Sequence, residues 1–127
     1  MRIKFDNNRP IYIQIMEYIY GNICRGELKP GEKLPSVREM AVDAGVNPNT
    51  VSRTYMEMER EKIVESKRGQ GTFVTEDDSI IARLKKATTE KQIEAFVDTL
   101  NQYGYTQGEI VTLIQEYVNN GGGNKSE

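Results

Sequence analysis

The sequence predicts a mainly α chain with one small β-hairpin, an α+β protein in which a compact N-terminal part precedes a separate helical region. Three observations predict it. Between Leu34 and Val74, two short helical patterns each open at a capping residue and stand only a tight turn apart. Two β-prone runs follow at once, joined by the cationic, glycine-containing segment Lys67-Arg68-Gly69-Gln70-Gly71. Beyond Thr75, apolar residues recur at helical spacing only.

Residues 10–25 form the first helix of this reading. Ile11, Ile15, Ile19 and Ile23 make one stripe and Tyr12, Met16 and Tyr20 an adjacent one, so the apolar surface is wide enough for contacts on two sides. Packing against the two following helices accounts for it; tyrosines meeting a partner subunit are the alternative. Gly26, Pro30 and Gly31 then break the pattern, and Leu28 to Leu34 reads as an extended connection able to add a short strand beside the hairpin.

Ser36 followed by Glu39 is a capping-box pair, and Val37, Met40, Ala41 and Ala44 share the face behind it. Gly45 can close that helix in the left-handed conformation. Asn47-Pro48 opens the next, asparagine being a favoured N-cap and proline a favoured first residue. Val51, Thr54, Tyr55 and Met58 then face inward, which leaves Asn49, Thr50, Ser52 and Arg53 on the other side near the helix N-terminus. Small donors and acceptors with one guanidinium, offered at the tip of a second helix, match what a major groove accepts. With the hairpin from Ile63-Val64 to Thr72-Phe73-Val74 as a wing, residues 1–75 read as a winged helix-turn-helix domain.

The candidate DNA-binding set is Ser36, Arg38, Asn47, Asn49, Thr50, Ser52, Arg53, Lys67, Arg68, Gly69, Gln70 and Gly71, with Asn47 a cap first and a groove contact second. Glu57, Glu59 and Glu61 are expected to face away from DNA or to lie toward the far end of their helix.

Residues 76–120 read as a helical dimerisation region. Thr75 with Asp78 reads as a cap for a helix holding Ile80, Ile81 and Leu84, which Thr88 and Thr89 interrupt; Thr89 with Gln92 starts a fresh helix or a kink. Ile93, Phe96, Val97 and Leu100 form one apolar face, Gly104 ends it, and the Thr106–Glu109 capping box opens a last helix with Ile110, Leu113, Ile114 and Tyr117 on its buried side. The two form a helical hairpin in this reading, yet each stripe is broader than one partner covers, and a second copy of the chain would cover the rest. Residues 121–127, rich in glycine, read as a flexible tail.

These motifs resemble the GntR family of bacterial transcription regulators: LPSVRE at Leu34 to Glu39, VNPNTVSRTY at Val46 to Tyr55 and RGQGTFV at Arg68 to Val74, with the resemblance running from about Arg9 to Val74. The short chain and the VNPNTV form look most like the YtrA subgroup. That resemblance implies a homodimeric repressor on a palindromic operator in double-stranded DNA, in a subgroup whose neighbouring genes often encode membrane transporters. It would place Arg38 on backbone or a base, Asn49, Thr50 and Arg53 in the major groove, and Gly69 to Gly71 at the minor groove. Many relatives outside the subgroup carry basic residues where this chain has Pro48 and Ser52; here the nearest arginine is Arg53.

Bulk composition bounds the alternatives. The 127 residues suffice for one compact domain with an oligomerisation appendage. A net charge of −2 argues at first against a nucleic-acid binder, but residues 1–75 hold 12 Lys and Arg against 10 Asp and Glu, a net of +2, and residues 76–127 hold 5 against 9, a net of −4. Absence of histidine, a lone Cys24 and no nucleophile-base pair or cofactor fingerprint leave an enzyme unsupported, and no cofactor or metal is expected. Gly69-Gln70-Gly71 lacks the Lys-Ser/Thr of a phosphate loop, and Asp77 and Asp78 suit a helix N-terminus without any metal. Cys24 reads as a helix-packing residue; the lack of a membrane span or secretory signal points to the cytoplasm. A winged-helix protein-interaction or architectural module is the competing class, and no residue identifies a small-molecule effector.

Overall fold

A computed structural model describes residues 3–121. Five helices and a two-stranded sheet follow one another as α1 (Ile11–Cys24), α2 (Val37–Ala44), α3 (Pro48–Arg60), β1 (Val64–Lys67), β2 (Gly71–Val74), α4 (Asp78–Gln102) and α5 (Gln107–Asn119). The chain divides into two compact units, Met1–Lys85 and Lys86–Glu127.

In the first unit α1 packs on α3, α3 on α2, and the hairpin on the end of α3. Ile15, Ile19 and Ile23 of α1 meet Met40 and Ala41 of α2, Val51, Tyr55 and Met58 of α3, and Leu34, Ile63, Val64 and Val74 in one buried cluster. Full burial of such a side chain is worth about 1.5–3 kcal/mol. The three ion pairs, Arg9–Glu17, Arg25–Glu27 and Arg60–Glu57, lie on exposed or half-exposed side chains and contribute about 0–1 kcal/mol each. Apolar burial therefore holds the unit. Its one buried amide is satisfied: Gln14 accepts from Asp6 N–H and donates to the carbonyls of Asp6 and Arg9, pinning the N-terminal segment onto α1.

The helix-turn-helix forms as the caps require. Ser36 and Glu39 make the reciprocal capping box, and α2 stops at Gly45, whose φ of +69° is left-handed. Val46 N–H then reaches back to the Ala41 carbonyl, and Asn47 Oδ1 accepts from Asn49 N–H across 2.7 Å to start α3. The strands pair antiparallel, Val64 with Val74 through Lys67 with Gly71. The connection before α2 adds a third edge, bridging Lys33 to Phe73, with Leu34 N–H donating to the Thr72 carbonyl. Ile81 and Leu84, at the start of α4, also pack on this core, so the compact unit runs on past residue 75 to Lys85.

Three expectations for the rest of the chain need correcting. Helix α4 passes through Thr88 and Thr89 without a break; threonine costs only a few tenths of a kcal/mol in a helix, and α4 holds neither proline nor glycine. It starts on Asp77, not on Thr75: Asp77 Oδ1 accepts from Ser79 N–H, while the buried Thr75 hydroxyl accepts from Asp77 N–H. Thirdly, α4 and α5 do not pack along one another. The Thr106–Glu109 capping box is present, but Ile110 alone of the α5 stripe is buried, at 3% exposure; Tyr117 is 61% exposed, and Leu113 and Ile114 are exposed too. On α4, Ile93 and Phe96 are exposed and Val97 and Leu100 half-buried. Periodicity identifies an apolar face and is silent on what covers it. Of the tail at 121–127, residues 122–127 lie outside the described residues.

Candidate nucleic-acid interface

The site is built on the N-terminal ends of α2 and α3 and on the hairpin. On α3 the inward face is Val51, Thr54, Tyr55 and Met58, so the 3.6-residue repeat turns Asn49 and Arg53 outward together, one turn apart. Asn49 and Arg53 are exposed, Thr50 and Ser52 half-buried on its flanks. Met56, 64% exposed one turn beyond Arg53, continues the face; the sequence reading assigns it no role.

Ser36 and Asn47 are both engaged as caps, each through an oxygen that accepts a backbone N–H. The Asn47 amide protons remain for a ligand. Hydrogen bonds from the Ser36 backbone and then its hydroxyl hold the Glu39 carboxyl below its ordinary value, so Glu39 stays ionised in its cap and not on a cation. Arg38, the next residue but one after Ser36, is exposed.

In the hairpin, Lys67 closes β1 with its ammonium 4.8 Å from the centre of the Phe73 ring, and Gln70 N–H donates to the Lys67 carbonyl to form the turn around Arg68 and Gly69. Gly71 has φ +124°, and a Cβ there would stand 2.7 Å from Lys33 Cε. The lysine stem crosses the gap that glycine leaves. Lys33 thereby joins Lys67 and Arg68 at the hairpin, a cation the sequence reading missed because its placement depends on the third edge.

Among the described residues the three ion pairs engage Arg9, Arg25 and Arg60, whereas Arg38, Arg53, Lys67 and Arg68 have no carboxylate within 4.0 Å. Two of the three α3 acids have partners of their own: Glu57 on Arg60, and Glu59 on the N–H and hydroxyl of Ser66 in β1. Arg53 instead lies over the Tyr12 ring, 3.8 Å from its centre. Exposed cations, amides and hydroxyls and a helix tip make a surface suited to a polyanion with readable edges. No group of three metal-ligating side chains gathers among the described residues, and no helix there is long and apolar enough to cross a membrane.

The family model described as bacterial regulatory proteins, gntR family, matches residues 11–74. The chain is 47% identical over 118 residues to the uncharacterized HTH-type transcriptional regulator YhcF of Bacillus subtilis, covering 93% of this chain and 98% of that one. It is 36% identical over 111 residues to the HTH-type transcriptional repressor YtrA of the same organism, covering 87% and 85%. Among solved structures, a GntR family transcriptional regulator from Listeria monocytogenes superposes with a TM-score of 0.84 at 36% identity, over 88% of this chain and 98% of that one. The DNA-binding domain of AraR, in complex with operator ORX1, superposes with a TM-score of 0.54 at 25% identity, over 59% and 95%.

Proposed function

Because the chain belongs to the GntR family, as a transcription regulator of the YtrA type and not an enzyme, we propose that it is a homodimeric repressor that binds a palindromic operator in double-stranded DNA. Residues 1–75 bind DNA in this reading and residues 76–120 dimerise. The observation that carries it is that Arg38 just past the α2 cap, Arg53 on the outward face of α3, and Lys67 and Arg68 on the hairpin are exposed with no carboxylate within 4.0 Å.

Asn49, Thr50, Ser52 and Arg53 enter the major groove, with Asn47 at its lip. Ser36 and Arg38 approach the backbone, and Lys67, Arg68, Gly69, Gln70 and Gly71 follow the minor groove. A single winged domain makes few phosphate contacts; two copies double them and read half-sites about one helical turn apart. Ile93, Phe96, Leu113 and Ile114, all exposed, supply the faces for that pairing with Val97, Leu100, Ile110 and Tyr117. The protein works in the cytoplasm, and YtrA-type likeness favours control of a transporter operon.

Fluorescence anisotropy against duplexes selected from random DNA tests the reading. Recovered sequences should carry two inverted half-sites, and affinity should fall steeply with salt. Failure to enrich any duplex, or binding indifferent to salt, would refute it.

A further inference from the structure

We propose that Tyr12, outside both the helix-turn-helix and the hairpin, is a positioning residue for DNA recognition: its ring holds the Arg53 guanidinium ready for the groove. The inference rests on the DNA-binding reading above and adds to it a residue of α1.

Two observations meet at this point. The Arg53 guanidinium carbon lies 3.8 Å from the centre of the Tyr12 ring, where the negative face of the ring attracts a cation. Contact through that face leaves the five N–H donors, which lie in the guanidinium edge, available. No carboxylate or carbonyl takes them among the described residues.

The platform is itself fixed. Thr54, fully buried and adjoining Arg53 in the chain, shares its hydroxyl proton between the Thr50 carbonyl at 3.0 Å and the Tyr12 carbonyl at 3.3 Å. One residue therefore sets both partners of the stack. An unsupported arginine loses rotamer freedom when it binds; here much of that freedom is already gone in the unbound protein. The ring thus raises affinity without touching DNA.

A double-mutant cycle in the full-length chain tests this, with a duplex enriched from random DNA by the unmutated protein as probe. Tyr12→Phe keeps the ring and should bind within about twofold of the parent, whereas Tyr12→Leu should weaken binding about three- to tenfold. In the Arg53→Ala background Tyr12→Leu should add nothing further. Tyr12→Met, which keeps a long apolar stem, serves if the leucine variant does not fold. In the free protein, Arg53 side-chain proton resonances should show a ring-current shift that Tyr12→Phe preserves and Tyr12→Leu or Tyr12→Met abolishes.

An unchanged affinity for the ring-deleted variants overturns the proposal, as does a loss that persists undiminished without Arg53. If Arg53→Ala binds normally to an enriched duplex, the proposal falls while DNA binding stands. If no duplex is enriched at all, the functional reading falls first.

Discussion

The hydroxyl of Tyr55 donates to the carbonyl oxygen of Pro35 across 2.8 Å. The bond ties the middle of α3 to the residue that precedes the α2 cap, so the two helix tips are held in register from beneath. Burial raises the phenol's pKa, and the neutral donor persists throughout the physiological range. Tyr55→Phe keeps the ring and strands the carbonyl; chemical denaturation should record a loss of about 1–2 kcal/mol. A stability equal to the parent's would show that water replaces the hydroxyl without cost.

Ser36→Ala removes one half of the α2 capping box and should cost about 1 kcal/mol, read as a lowered melting temperature at pH 7. The pH dependence has a definite sign. Glu39 is depressed below its ordinary 4.5 by hydrogen bonds from the Ser36 backbone and hydroxyl, so its contribution is complete above the unfolded value and fades as pH falls through the lower folded one. The parent should therefore lose stability progressively below about pH 4.5, and the variant should show a shallower acid limb. Parallel acid limbs for both proteins would remove Ser36 from that account.

Replacing both Lys67 and Arg68 by alanine should leave the melting temperature nearly unchanged, since both are exposed. Affinity for DNA should drop for all sequences alike, and the slope of log affinity against log salt should become shallower by about 2. A slope identical to the parent's would take the hairpin out of the phosphate contacts.

Phe96→Asp combined with Ile114→Asp places a charge on each uncovered helix face. Sedimentation equilibrium should find the parent as a dimer and this variant as a monomer, with operator affinity reduced at least tenfold because one half-site alone is engaged. A parent that sediments as a monomer at micromolar concentration would contradict the pairing.

Local chemistry made the first unit legible. Ser36 with Glu39, Gly45, Asn47 and Pro48 each fix a helix end within a few residues of themselves, and the four inward residues of α3 follow from one period. Long-range placement was not legible: Tyr12 and Arg53 stand 41 positions apart, and Lys33 reaches Gly71 only through a bridge between distant segments. The break expected at Thr88 overrated a weak helix former against an otherwise uninterrupted helix. Periodicity likewise located the α5 face of Leu113, Ile114 and Tyr117, which is exposed in the single chain, but carries no information on its cover.

The Glu59 carboxylate receives both the N–H and the hydroxyl of Ser66, at 3.0 and 3.1 Å, and so clamps the first strand of the hairpin to the trailing half of α3. In the proposed complex, hairpin and helix would act as the fixed jaws of a caliper. An operator whose groove widths did not match that gauge would have to deform to fit, and the discrimination would appear as the stiffness of base steps that no side chain touches.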